Sequence, residues 1–252
     1  MAIIVRKYEI EATAYSPLRV GGPRDPIRGV DLPMASIAGR PVIPGSSLKG
    51  ALRANLEQYL VGLGKTKHAL KPCIPASKPS PAEKGLSKIG SFRVGGGCSA
   101  EIGDGLTDGA KAPTATICPA CYLLGAQGLV GFVSVPTLVG SMSQEELVGI
   151  AIDRSQGTVR GGANWRYEFA KTGSTFVGTM EVLLEDTAKS WALGKPRLGF
   201  EELDGWLVED PPWTQDRVLK ELLIDPLESI TVLGGFKSKG FGRVKITVKM
   251  LE

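Results

Sequence analysis

At the start of the chain, apolar and polar side chains alternate with a period of two. Ile4, Arg6, Tyr8, Ile10, Ala12 and Ala14 share one face, and Ile3, Val5, Lys7 and Glu9 share the other. This predicts an opening strand. A loop punctuated by Gly and Pro follows from Pro17 to Pro44, and then the period changes. Pro44-Gly45-Ser46-Ser47 leads into Leu48, Ala51, Leu52, Leu56, Tyr59 and Leu60, apolar at helical spacing, with a serine available as the N-cap. Residues 62–127 hold no sustained period and read as an insertion. Alternation returns over Gly128 to Leu138 and Thr175 to Leu184, both rich in Val, Phe, Thr and Leu, which predicts two more strands. Val218, Leu219, Leu222, Leu223, Leu227 and Ile230 recover helical spacing. A bend or break is expected at Asp225-Pro226, where proline removes a backbone donor. Arg243 to Leu251 closes the chain as a strand.

Strand, helix, strand, strand, helix, strand is the order of a ferredoxin-like (RRM-like) βαββαβ core. The expected fold is therefore α+β, a single domain over 1–252 with three insertions at about 62–127, 150–172 and 186–213. The second insertion is a polar, Gly- and Arg-bearing excursion from Asp153 to Lys171. The third is irregular and carries Trp191, Trp206 and Trp213. Fold order names no function, because this architecture hosts many.

Composition narrows the classes. The chain has 252 residues, 42% of them hydrophobic, enough for a buried core. No window is apolar over the length that spans a bilayer, and residues 1–20 show no leader pattern, so a cytoplasmic protein without a membrane partner is expected. The net charge of +4 permits an anionic partner without demanding one. Its distribution says more. Between Gly62 and Cys98, Lys65, Lys67, Lys71, Lys78, Lys84, Lys88 and Arg93 face the single acid Glu83, and Gly234 to Lys249 holds five basic residues and no acid. Such runs are usually solvated surface, and they raise the odds of nucleic-acid binding only modestly.

The most specific motif is Gly234-Gly235-Phe236-Lys237-Ser238-Lys239-Gly240-Phe241-Gly242-Arg243-Val244. Glycines let the backbone approach phosphates while cations neutralise them, so Gly234, Gly235, Lys237, Ser238, Lys239, Gly240 and Arg243 are candidate RNA-backbone contacts. Part of this run also fits the aromatic signature of an RNA recognition motif. A helix and a strand would have to follow that signature, yet six residues remain after Ile246, and Arg243 stands where an aromatic is needed. Lys49 and Arg53, one turn apart at the start of the first helix, form a candidate phosphate clamp. Cys118-Pro119-Ala120-Cys121 is a knuckle that places two thiolates on one metal, and Cys73 and Cys98 complete a closed tetrahedral zinc site. His68, the only histidine, is the alternative to Cys98 as fourth ligand. A cytosolic setting argues against disulfides. Walker motifs and nucleophile elbows are absent.

A Gly-rich loop between the last helix and last strand of a ferredoxin-like unit resembles the signature of the RAMP proteins of CRISPR systems. In the front half, Gly21-Gly22, Val30-Asp31-Leu32-Pro33, and the run Pro41-Val42-Ile43-Pro44-Gly45-Ser46-Ser47-Leu48-Lys49-Gly50-Ala51-Leu52-Arg53 are similar to the seventh-family backbone subunits of type III complexes. The resemblance implies a subunit that polymerises with copies of itself and other subunits along a CRISPR RNA, opposite a target single-stranded RNA. A hairpin thumb would push between bases, here carrying Arg154, Arg160, Trp165 and Arg166. An aromatic among cations suits a splayed base, and a hydrophobic plug is the alternative role for Trp165. Histidine-dependent processing of CRISPR RNA has no candidate residues in this chain. The resemblance also implies a structural zinc site, and it matches Asp31 to the carboxylate that cleaving members need in a flexible loop. Such a member is an endoribonuclease supported by a divalent metal such as magnesium. Asp25 is the rival carboxylate. A non-cleaving backbone subunit, and a zinc-stabilised RNA-binding protein outside CRISPR, stay open as alternatives.

Overall fold

The opening alternation is realised as β1 (Ile3–Ala14), which buries Tyr8, Ile10, Ala12 and Ala14 on one face. In the computed structural model, residues 2–24, 29–64, 68–75, 79–93, 97–98, 117–198, 201 and 204–251 are described. After β1 the chain passes through β2 (Ser36–Ile37) and β3 (Arg40–Ile43) into α1 (Gly45–Leu63). Leu48, Leu52, Leu56 and Leu60 are the buried face of α1, one every fourth residue. The expected serine cap is not made. Pro44 is the N-cap, and the Gly45 N–H of the first turn donates instead to the Thr137 hydroxyl at 3.2 Å, in a close approach where a Cβ on Gly45 would lie 2.6 Å from the carbonyl oxygen of Val135.

Within 62–127 the described residues form a 3-10 turn (His68–Leu70), α2 (Pro81–Lys88) and α3 (Pro119–Leu124). The strand expected over 128–138 is corrected to two short pieces, β4 (Val133–Ser134) and β5 (Leu138–Gly140). Pro136 lies between them and has no N–H to give a ladder. β6 (Gln144–Asp153) and β7 (Thr158–Ala170) then pair as an antiparallel hairpin. Its first strand begins ahead of the excursion expected at 150–172, since Gln144-Glu145-Glu146 is polar and gives no strand signal. β8 (Thr175–Asp186) and β9 (Trp191–Ala192) follow. The last helical stretch runs through α4 (Gln215–Arg217), a π-helical segment (Val218–Ile224) and α5 (Asp225–Glu228). It does not break at Pro226. The wider π turn precedes it, and the helix resumes α geometry with the proline in its first turn, where a missing N–H is tolerated. β10 (Val244–Met250) ends the sheet.

The sheet order is β10-β1-β8-β5-β3-β2, with β4 and β9 also on β8. Its named strand pairs are antiparallel. Taking β1, β5, β8 and β10 as the core strands gives fourth-first-third-second, the ferredoxin-like arrangement of an α+β fold. α1 and residues 215–228 cover one face, where Leu52, Leu56, Leu219, Leu222 and Leu223 join Ile10, Phe176, Met180 and Ile246 in one cluster. The other face is polar and partly open, with Lys7 paired to Glu181 at 3.2 Å. Among the described residues no helix is long and apolar enough to cross a membrane.

The segment after β8, read from the sequence as irregular, is tied down by buried side chains. Arg197 and Asp204 form a fully buried ion pair at 2.7 Å, and the guanidinium lies 4.8 Å from the ring centre of Tyr122 on α3. Trp206 meets Tyr122 edge-on at 5.5 Å and Trp213 at 5.7 Å. These contacts hold the cysteine-bearing α3 against the domain. Asp204→Ala leaves an uncompensated buried charge and is expected to cost about 3–5 kcal/mol in urea unfolding. The double variant Arg197→Met with Asp204→Leu should lose far less. Equal losses in the two would show that the pair itself is not what matters.

Candidate RNA interface and metal centre

Asp31 sits in a segment strapped along β7. The Leu32 N–H donates to the Arg166 carbonyl (3.0 Å) and the Glu168 N–H to the Leu32 carbonyl (3.0 Å). The Met34 N–H donates to the buried Glu168 carboxylate at 2.8 Å, and the Arg19 guanidinium reaches the Pro33 carbonyl at 3.4 Å. Asp31 itself is exposed, and its Oδ2 accepts from the Arg166 N–H at 2.8 Å. The loop expected around it is thus anchored at 31–34: Arg166 and Glu168 of β7 bond Asp31, Leu32 and Met34, and the Asp31 and Pro33 carbonyls accept from Arg24, and from Gly22 and Arg19. Gly22 explains the paired glycines upstream, since a Cβ there would lie 2.8 Å from the Met34 carbonyl oxygen. Asp25 lies outside the described residues.

The glycine-rich loop lies against the same strand. Gly234 has φ 77° and a Cβ there would meet the Arg19 carbonyl oxygen at 2.3 Å, so only glycine fits. Lys237–Lys239 form a 3-10 turn between left-handed Phe236 and Gly240, which leaves Lys237, Ser238, Lys239 and Gly240 exposed. Phe236 and Phe241 pack edge-on against Tyr167 of β7 at 5.4 and 6.2 Å, and Phe241 against Phe169 at 5.8 Å. Arg19 lies 5.0 Å from the ring centre of Phe236. Lys239 lies 4.5 Å from Phe236 and 5.9 Å from Trp165.

The Asp31 segment and the glycine-rich loop are thus both held against β7, with Arg19 touching Pro33 of one and Phe236 of the other, while Trp165, beside Lys239, and its neighbour Arg166 project to opposite faces of the strand. Trp165 is half-buried, and its ring covers Gly149 of β6, where a Cβ would be 2.4 Å from it. Arg243 is exposed at the start of β10. Arg154 and Arg160 are exposed on the far part of the hairpin. Lys49 is exposed on the rim of an open groove of about 990 Å³ beside the start of α1. Of the basic run before Cys98, Lys65, Lys67 and Lys78 lie outside the described residues. The sequence reading missed Arg19, Tyr167, Glu168 and Phe169. The period-two aromatics Trp165, Tyr167 and Phe169 were the available signal, hidden by the polar residues between them.

Arg53 does not join Lys49. Its guanidinium donates to Cys121 Sγ at 3.4 Å, to Cys73 Sγ at 3.5 Å and to Glu57 at 2.7 Å. The expected pairing of Arg53 with Lys49 as a phosphate clamp is not formed, because Glu57, Cys73 and Cys121 take up the Arg53 guanidinium.

Cys73, Cys98, Cys118 and Cys121 are all buried, and their four sulfurs lie within 4.8 Å of one another. Zinc–sulfur bonds of about 2.3 Å set tetrahedral corners about 3.8 Å apart, so the cluster fits one ion. These residues could hold a metal such as zinc, with four thiolates and no open position for substrate. Without an ion the four thiols share their protons unequally: hydrogen bonds from Cys121, Cys73 and Cys98 pull the Cys118 thiol well below its ordinary range, while the bond with Cys118 pushes Cys98 and Cys121 up. His68 has its backbone in the nearby 3-10 turn, and its side chain lies outside the described residues.

A family model described as the RAMP superfamily matches residues 11–245. The chain belongs to the RAMP superfamily. Membership makes it a CRISPR-associated RNA-binding subunit of the kind that assembles into CRISPR complexes. A search of curated proteins returned no match. The match spans both the Asp31 segment and the glycine-rich loop, so the surface around β7 is this RAMP protein's candidate RNA interface.

Elemental analysis of the purified protein should return about one zinc per chain. Protein prepared without chelators that carries no metal, with four freely titratable thiols, would contradict the assignment. Cys118→Ser should loosen the region around α3 and lower stability, since a structural site contributes to folding.

Proposed function

We propose that this RAMP protein is a seventh-family backbone subunit of a type III CRISPR effector complex in the cytoplasm, holding CRISPR RNA by its backbone and cutting target RNA through Asp31. The observation that carries the reading is the anchoring of the Asp31 carboxylate at the root of the β6–β7 hairpin by the Arg166 N–H, in a segment joined to the glycine-rich loop through Arg19. A thumb that flips a nucleotide would present the adjacent phosphate at this root. A fixed carboxylate there can take the proton of the neighbouring 2′-hydroxyl, or position a divalent ion such as magnesium that favours its loss. The 2′-oxygen then attacks phosphorus and the 5′-oxygen leaves, giving a 2′,3′-cyclic phosphate and a 5′-hydroxyl. Arg166 and Lys239 supply the positive field that the doubly charged transition state requires. The partners are CRISPR RNA, target single-stranded RNA, copies of the same chain and the other subunits.

RNA binding should be sequence-tolerant and fall with salt, because the cradle combines cations with glycine backbone and lacks base-reading pairs. Lys237→Ala with Lys239→Ala is expected to weaken binding alike for unrelated guides, as read by filter binding across a salt series. A loss confined to one guide sequence would contradict a backbone cradle.

Asp31→Ala should leave assembly on guide RNA almost intact, since removing a carboxylate near phosphates lowers repulsion. Cleavage of a labelled complementary RNA by the reconstituted complex should fall on the order of a hundredfold or more. A target with a 2′-deoxy sugar at the cut site should also resist. Normal cutting by Asp31→Ala would favour Asp25, and a wild-type complex that binds but never cuts would identify a purely structural backbone subunit.

A further inference from the structure

Lys49 and Arg53 are one turn apart on α1, yet they meet different surroundings. Lys49 is exposed, whereas the Arg53 side chain keeps 16% of its exposure and points its Nη2 at two cysteine sulfurs. Glu57, a further turn along and as buried as Arg53, accepts from Nε and fixes the plane of the guanidinium. A planar fork held on one edge can aim its other edge, which a lysine cannot do.

Four thiolates on a divalent ion carry a net charge of −2 in a region where all four cysteines are buried. Such a charge is costly to desolvate unless a cation or N–H donors compensate it. An arginine stays protonated in proteins, and here two cysteine sulfurs and the Glu57 carboxylate face its guanidinium. The guanidinium is thus a fixed cation at this site. We infer that Arg53, oriented by Glu57, is the outer positioning residue of the four-cysteine metal centre, which compensates its thiolate charge, strengthens its hold on the ion and takes no part in holding RNA.

The inference rests on the four-cysteine cluster holding an ion. The test is cobalt and zinc competition against a chromogenic chelator, with the thiolate-to-cobalt charge-transfer band recorded for each protein. Arg53→Met, which keeps length and loses charge, should weaken metal binding about 10- to 100-fold. Its charge-transfer band should move to lower energy as N–H donation to sulfur is lost. Arg53→Lys, which keeps the charge but cannot aim two donors, should recover only part of the affinity, and Glu57→Gln, which leaves the arginine in place, should weaken it by less than Arg53→Met does. With excess zinc, Arg53→Met should bind guide RNA as the parent does, while Lys49→Ala binds it more weakly. If the parent holds no metal, the cluster reading itself falls. If the parent holds metal and Arg53→Met holds it equally tightly with an unshifted band, only the role of Arg53 falls. Should Arg53→Met fail to fold, Glu57→Gln decides through the same two readings, and no change in either would overturn the inference. Weaker RNA binding by zinc-loaded Arg53→Met would restore the phosphate clamp.

Discussion

The structure depends on the stretch where β1 runs out of the sheet. β1 is hydrogen-bonded on both sides, to β8 and to β10, which makes it an interior strand of the sheet. Its continuation from Ala14 to Arg19 then serves as the meeting line for the elements that carry function. Ala14 N–H donates to Ser174, Tyr15 N–H to Arg243, and Leu18 exchanges two hydrogen bonds with Ala170 at the end of β7. Gly235 and Gly242 donate to Arg19 and Pro17. Hairpin, glycine-rich loop and last strand are thereby registered on one backbone, and a shift of β1 would move all three together.

Such convergence needs close backbone approach, which explains where glycine is required. A Cβ at Gly242 would lie 2.2 Å from the Leu233 carbonyl oxygen, as one at Gly234 would strike Arg19. The motif that reads as a phosphate cradle is therefore also a packing device. Its lysines are left outside because Gly234 and Gly242, with Phe236 and Phe241, are the positions packed against the domain.

The metal centre supplies what the hydrophobic pattern cannot. Cys73 and Cys98 come from segments without sustained periodicity, and Cys118 and Cys121 from the start of a six-residue helix. Leu70 and Ile74 bury on either side of Cys73, and an ion binding all four sulfurs would make the association of these segments part of folding. Arg53 and Glu57 join this centre to α1, and the Arg197–Asp204 pair with Tyr122 joins its other side to the segment following β8.

By itself the sequence determined the periodic elements and therefore the fold class. Strand alternation in 3–14 and 175–184 and the leucine face of α1 are local signals, set by which side of each element must leave water. It also determined the chemistry available: four thiols, a glycine-rich basic loop, and an aspartate flanked by Leu32 and Val30. Only the tertiary structure decided which of these meet. Asp31 and Arg166 are 135 residues apart and Arg53 and Cys121 are 68 apart, and no local pattern encodes either contact. The direction of Arg53 was illegible because its spacing from Lys49 fits a shared surface equally well. Both cations flank the leucine face of α1, and only the neighbours of each turn differ: the buried Cys73 and Cys121 meet Arg53, whereas Lys49 borders an open groove.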